Sequence, residues 1–251
     1  MKALYLCDDT FFAETAKLCV NRGFGMEVQS FYDQSYEPTN PDAVASHQMA
    51  IKQIQNRSLH GPFGDLCAGS FDPMIREVTR VRYEGAVRVA TALGISQIIL
   101  HHGYVPGTSQ PANWIKRFGQ FWHDFLADKP ANLRFYLENH LDQSPQLLAD
   151  VVHEIDDPRV KVCFDIGHAH IYSKNGVVEW ITRMNETIAY LHLHDNHGQS
   201  DEHLGLGDGT LPMLELLTAV EEMAPGAVWA LEAKPERFQS SLDWLAVHHF
   251  L

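Results

Sequence analysis

Short runs rich in Val, Ile, Leu, Phe and Tyr alternate along this chain with longer stretches whose apolar positions recur at helical spacing. The runs are KALYLC (2–7), MEVQSFY (26–32), SLHGPF (58–63), SQIILHHG (96–103), LRFYLEN (133–139), VKVCFDIG (160–167), AYLHLHD (189–195) and VWALEAK (228–234). Between them lie amphipathic segments such as DPMIREVTRVRYEGAVRVATALG, ANWIKRFGQFWHDFLADK and SPQLLADVVHEID. The last of these opens with Ser144 as a predicted N-cap and Pro145 at the first helical position. Strict strand–helix alternation implies parallel strands joined by helical crossovers. Eight such units in 251 residues predict an α/β fold, a single (β/α)8 TIM barrel domain spanning residues 1–251. The alternative, a doubly wound open sheet, calls for a Gly-rich turn after an early strand. CDDTFFAET, which follows the first run, has no glycine.

Side chains in a strand point alternately to its two faces. In LRFYLEN the face of Leu133, Phe135 and Leu137 should meet the surrounding helices, which turns Glu138 inward near the C-terminal mouth. The same reading puts Cys163 and Asp165 inside from the sixth run, His192 and His194 from the seventh, Glu232 from the eighth and His101 from the fourth. His60 lies on the third, and His168, Asp201 and His203 fall just beyond strand ends. Late positions on barrel strands are where active sites of this fold assemble. Burying so many acids together without cations would be prohibitive. Mixed imidazole and carboxylate donors suit zinc, manganese or a related divalent ion. The stretch YLHLHDNHGQSDEHLGLGDG (190–209), with four histidines and four acids, is the densest part of this pattern.

Composition narrows the partners. A net charge of −13 repels polyanions, and no block of Lys or Arg forms a basic groove, which weighs against nucleic acid. No apolar stretch approaches the roughly 18–20 residues of a membrane span. The start, MKALYLCDDTFF, turns acidic after six residues and reads as a first strand and not as a leader. The 4 cysteines form no CxxC pair, which points to a reducing cytoplasm. No stretch stands out as an interface, and self-association is left open.

The motifs LHHG (100–103), LEN (137–139), CFDIGHAH (163–170), LHLHD (191–195) and DEHLGLGDG (201–209), in this order and at successive strand ends, resemble one superfamily. It joins xylose isomerase-like sugar isomerases and epimerases with endonuclease IV, the zinc enzyme of abasic-site repair. The resemblance implies that Glu138, Asp165, His192 and Glu232 hold one divalent metal, with Glu138 and Glu232 also moving protons. It further implies that His60, His101, His168, Asp201 and His203 match the additional ligands of a three-zinc cluster. One to three ions are therefore expected, zinc first, with manganese or magnesium as alternatives. The expected activity is isomerisation or epimerisation of a small sugar, sugar phosphate or related polyol by proton transfer through an enediolate. The alternative is a multinuclear zinc phosphodiesterase or phosphatase, and a non-catalytic metal-binding barrel is the third reading. The chain departs from the endonuclease in its acidic character and in the loop DQSYEPTNPD (33–42), which carries three acids and no base.

Further residues have plainer expectations. His168, His194 and Lys234 are candidates to contact substrate. Lys234, Arg237 and the glycines at 205, 207 and 209 form a candidate phosphate cradle. His102, His170 and His197 read equally as solvated loop residues or as neighbours of substrate. Cys163 reads as packing, and His248 and His249 as stabilising the end of the last helix.

Overall fold

A computed structural model of the chain describes residues 3–8, 12–32 and 41–251. The acidic loop at 33–40 therefore lies outside the described residues. Eight parallel strands, β1 (Leu4–Cys7), β2 (Gly25–Val28), β3 (Arg57–His60), β4 (Gln97–His101), β5 (Arg134–Glu138), β6 (Val160–Asp165), β7 (Ile188–Leu193) and β8 (Val228–Leu231), pair in sequence order. Pairing of β1 with β8, Tyr5 against Ala230, closes the barrel. Around it lie α1 (Phe12–Arg22), α2 (Pro41–Ile51), α3 (Pro73–Leu93), α4 (Pro111–Leu126), α5 (Gln146–Ile155), α6 (Ile166–Tyr172), α7 (Val177–Met184), α8 (Met213–Met223) and α9 (Phe238–Val247). The fold is a (β/α)8 TIM barrel, as the alternation predicts. No helix among the described residues is long and apolar enough to cross a membrane.

The inward and outward faces follow the two-residue period. Ile98, Leu100, Phe135, Leu137, Val162, Phe164, Leu191, Leu193, Trp229 and Leu231 pack outward in the main core, against the helices. Tyr5, Cys7, Ile99, Tyr136, Cys163, Tyr190 and Ala230 form a separate cluster inside the barrel. That inner cluster is the floor of the site. Tyr190 stacks on Tyr136 with centroids 5.3 Å apart, and its hydroxyl lies 2.8 Å from Ser58 Oγ. Gly25 is needed beside this floor, since a Cβ there would sit 2.5 Å from the Tyr5 ring. Cys163 is fully buried in this cluster, and its thiol also lies close enough to Glu138 and His192 to share an ion with them.

Several strands end earlier than the apolar runs suggest, because the chain leaves the barrel to do other work. After Val28, the backbone N–H groups of Gln29 and Ser30 turn to bond the carboxylate of Asp8. At α5, Pro145 itself stands at the N-cap with helical dihedrals and no side-chain cap, so Ser144 does not cap this helix. By contrast α3 starts where Asp72 accepts from Met74 N at 2.8 Å and ends at Gly94, whose φ is +66°. Helix α3 also exposes an apolar stripe that the sequence pattern does not predict. Phe71, just before it, is 83% exposed, Met74 76%, Val78 54% and Val81 55%. Contiguous apolar exposure of this kind marks interaction surfaces.

Candidate metal centre

The strand ends converge on one ionisable cluster. His60, His101, Glu138 and Asp165 are the last residues of β3, β4, β5 and β6, and His192 is the last but one of β7. Glu232 follows β8 directly, with its N–H still bonded to Leu193 O at 3.0 Å. Asp165 doubles as the N-cap of α6, accepting from His168 N at 2.6 Å. That cap is what swings His168 over the barrel mouth. The loop after β7 is folded back by an antiparallel bridge between Asp195 and Leu204. The buried Asp195 carboxylate gathers the loop by accepting from the N–H groups of Gly207, Gly209 and Leu211 at 3.1, 3.0 and 3.2 Å. Asp201 and His203 are thereby brought above the cluster. His203 adopts a φ of +49°, a strained conformation for a non-glycine residue that such over-determined loops can hold.

The expected phosphate cradle does not form from these glycines. The amides of Gly207 and Gly209 are spent on Asp195, and Arg237 Nη1 lies 3.4 Å from Asp208 Oδ2. Gly205 is close-packed instead, where a Cβ would lie 2.9 Å from Asp208.

Three groups of donors share the cluster. In the first, Nε2 of His60 and Nε2 of His101 lie 3.1 and 3.3 Å from Glu138 Oε2. In the second, His192 Nδ1 faces Glu138 Oε1 at 3.3 Å, Glu232 Oε2 at 3.2 Å and Asp165 Oδ2 at 3.8 Å. In the third, Nε2 of His168 and Nε2 of His203 lie 3.3 and 3.0 Å from Asp201 Oδ2. Donor atoms around one tetrahedral zinc, with bonds of 2.0–2.2 Å, stand about 3.3–3.6 Å apart, so most of these pairs have the spacing of shared ligands. His60, His101 and Glu138 lie close enough together to hold one ion, as do His194, Asp201 and His203. The fit is supported independently by His192 Nδ1, which is buried and has no hydrogen-bond partner although carboxylates surround it.

The histidines are oriented as ligands need to be. Nδ1 of His60, His168 and His203 donates to the carbonyls of Gly61, Asn139 and Glu232 at 2.9, 3.0 and 2.6 Å. Each leaves Nε2 directed at the carboxylates, the outer-shell arrangement typical of metal sites. Burial drives the His101 ring down to about 4, against the charge of Glu138. Burial also opposes charge on His203, but its hydrogen bond to Asp201 and the charge of Glu232 raise it to about 9. Despite burial, carboxylates hold His168 well above the usual imidazole range, and Cys163 followed by Glu232, Glu27 and Glu138 does the same for His192. Burial raises Asp165, yet the rings of His168 and His194 bring it down to about 2. Metal-free, the carboxylates recruit imidazolium protons to balance them, which is the charge a divalent ion would supply.

His194 is fully buried, its Nε2 3.2 Å from Asp165 Oδ2 and its ring stacked on His203 at 4.2 Å. It is expected from the sequence to contact substrate, but its ring has no exposed face and lies within reach of Asp201 and His203 as a third possible donor. Gly167 makes room for it, since a Cβ there would sit 2.0 Å from the ring. His102 is buried against Asp142 at 2.7 Å, His170 pairs with Thr210 at 3.0 Å, and His197 pairs with Glu202 at the surface.

A cavity of about 250 Å³ opens beside the cluster, lined by Cys7, Gln29, Tyr32, His60, Phe63, His203, Glu232, Ala233 and Lys234. Tyr32 and Phe63 stack at 5.5 Å, and Phe63 covers His101 at 4.4 Å. Gln29, Tyr32 and Phe63 are absent from the sequence expectations. So is Glu27, a wholly buried inward residue of β2 whose Oε2 accepts from His192 Nε2 at 3.1 Å. The alternation of Met26, Glu27 and Val28 was the available signal.

The Xylose isomerase-like TIM barrel family model matches residues 23–248. The chain belongs to that family. Two uncharacterised proteins of Methanocaldococcus jannaschii are 28% and 27% identical over 70% and 61% of this chain. The matches span 64% and 61% of those relatives, less than two thirds of their length. Among solved structures, a D-tagatose 3-epimerase-like protein superposes with a TM-score of 0.81 at 21% identity, over 100% of this chain and 97% of that one. A Thermus thermophilus protein soaked with zinc chloride gives 0.76 at 23% identity, over 98% and 97%. The D-allulose 3-epimerase of a Methylomonas species, solved with D-allulose, gives 0.69 at 18% identity, over 97% and 90%. At these identities the likeness carries the fold of the xylose isomerase-like family.

Proposed function

We propose that the chain is a divalent-metal-dependent isomerase or epimerase acting on a small sugar, sugar phosphate or related polyol. The observation that carries this reading is the double position of Glu232. It lines the cavity, and its Oε2 lies 3.2 Å from the unpartnered His192 Nδ1. Glu138, Asp165, His192 and Glu232 would hold the ion, which when bound supplies Lewis-acid polarisation of a carbonyl oxygen. The names of the epimerase structures above, and the family, support the same class.

The two glutamates divide the work. Burial raises the Glu232 carboxyl, and the charges of Glu138 and Asp165 add to this against the pull of His192 and His203. A carboxylate so raised is suited to take a carbon-bound proton near neutral pH, and Gln29 Nε2 holds its Oε1 at 2.6 Å. Glu138 is enclosed by the rings of His60, His101, His168 and His192, which keep its carboxyl well below the ordinary range despite burial. Glu138 does not line the cavity whereas Glu232 does, so the first proton transfer is assigned to Glu232. The Tyr32–Phe63 wall offers an apolar face for the C–H side of a sugar. Lys234, exposed at the rim, supplies a cation for a phosphorylated substrate, whereas His168, 3.3 Å from Asp201 Oδ2, does not line the cavity.

A second reading, a multinuclear zinc phosphodiesterase or phosphatase, is favoured by the first and third donor groups, which one-metal proton transfer does not require. The test is a panel of aldoses, ketoses and their phosphates incubated with metal-loaded enzyme in D2O, read by NMR for deuterium entering next to the carbonyl. Exchange is expected, and Glu232→Gln should slow it by about 10²–10⁴-fold. Absence of exchange, together with phosphoester cleavage that His101→Ala abolishes, would overturn the isomerase reading in favour of the hydrolase.

A further inference from the structure

We infer that Glu27 is a positioning residue of the metal centre: its carboxylate selects which nitrogen of His192 faces the ion, and through Gln29 it ties that choice to the orientation of Glu232. The inference rests on the metal-site reading above and gives a supporting role to Glu27, which lies outside the ligand set the resemblance implies but close enough to Cys7, His192 and Glu232 to share an ion with them.

Glu27 lies on β2, level with Cys7 of β1 and Ser58 of β3. It is fully buried and is not part of the cavity wall. Its Oε2 lies 3.1 Å from His192 Nε2. A carboxylate oxygen can only accept, so Nε2 carries the proton. In a neutral ring the lone pair is then on Nδ1, the atom that faces Glu138, Asp165 and Glu232 with no hydrogen-bond partner of its own. The tautomer of His192 is thus set from below. The other oxygen of Glu27, Oε1, accepts from Gln29 Nε2 at 3.0 Å, and the same Nε2 reaches Glu232 Oε1 at 2.6 Å. One amide therefore spans the two carboxylates, leaving Glu232 Oε2 turned toward His192.

A purely structural role explains this poorly. Packing at the barrel floor would be served as well by an apolar side chain, whereas a buried carboxylate brings a desolvation penalty that only specific partners offset. The side-chain partners here are a candidate ligand and the residue that holds another. Outer-shell carboxylates on a ligating histidine fix its ring and raise its basicity.

Cobalt(II) is the probe, titrated into metal-free wild type, Glu27→Gln and Glu27→Asp, with affinity taken from competition with a chelator and geometry from the visible absorption bands. Glu27→Gln keeps the shape but not the charge of the acceptor. It should weaken one bound ion by about 10–100-fold, shift its absorption, and leave any ion on His60 and His101 unchanged. Glu27→Asp, which retains the charge but shortens the reach, should fall between Gln and wild type, and it carries the test if Glu27→Gln does not fold. Wild-type affinity and spectrum in a folded variant would overturn the inference while leaving the metal site standing. Failure of wild type itself to bind cobalt would overturn both.

Discussion

Glu138→Gln is expected to strip the protein of tightly bound metal while leaving its fold intact. Glu138 places Oε2 against His60 and His101 and Oε1 against His192, so it belongs to two donor groups at once. Gln preserves volume but removes the anion. Binding free energies of structural zinc sites are about 10–16 kcal/mol, which shared among four ligands gives roughly 3 kcal/mol for each, or about two decades in affinity. Because one side chain serves two groups, both ions should weaken together, and turnover should fall with them. Asp201→Asn, by contrast, touches His168, His203 and His194 but neither Glu138 group, and should cost a single ion. Metal titration of the two variants by calorimetry checks this. Wild-type affinity for both ions in Glu138→Gln would show that the carboxylate is not a shared ligand.

The second large effect is a reversal of pH dependence on metal loading. His203 is raised to about 9, and His168 and His192 are raised in the same direction. A group whose folded pKa exceeds its unfolded value stabilises the fold fully below the unfolded value, near 6.5, and loses that contribution as pH rises through the folded one. Metal-free protein should therefore lose stability between pH 6.5 and 9. For His203 alone the loss is on the order of 2–3 kcal/mol, or roughly 4–12 °C in Tm for a chain of this size. Zinc competes with the same protons, so its stabilising effect should grow over the same interval. Thermal unfolding at pH 6.5, 7.5 and 9, with and without zinc, should give slopes of opposite sign. Parallel slopes would mean that the histidines do not exchange protons for metal.

Much of this was legible in the sequence because the barrel imposes a two-residue period on every strand. Leu137 and Phe135 facing outward fixed Glu138 inward, and the same logic served Asp165, His192 and Glu232. Glu27 obeys the identical rule between Met26 and Val28. Nothing else marks it, because a lone glutamate in a four-residue strand precedes the histidine-bearing motifs and shares none of them. The loop glycines misled for a different reason. Their amides are bound by Asp195, 12 and 14 positions earlier, a long-range hydrogen bond that no local pattern announces. Nor did periodicity reveal the exposed stripe of α3. The helix buries Tyr83, Ala86, Val89, Ala90 and Leu93, while its opposite face is also apolar near the N-terminus. An apolar residue in sequence looks the same whether it faces the core or water.

The most direct test of the metal centre is the metal content of untagged protein purified without chelator or added metal, measured by mass spectrometry and followed by zinc titration of a stripped sample. A divalent ion is expected in every chain, on Glu138, Asp165, His192 and Glu232, with additional zinc wherever the His60/His101 and Asp201/His203 groups are also filled. Protein that carries no ion and takes up none on titration would contradict the centre altogether, and with it both enzymatic readings.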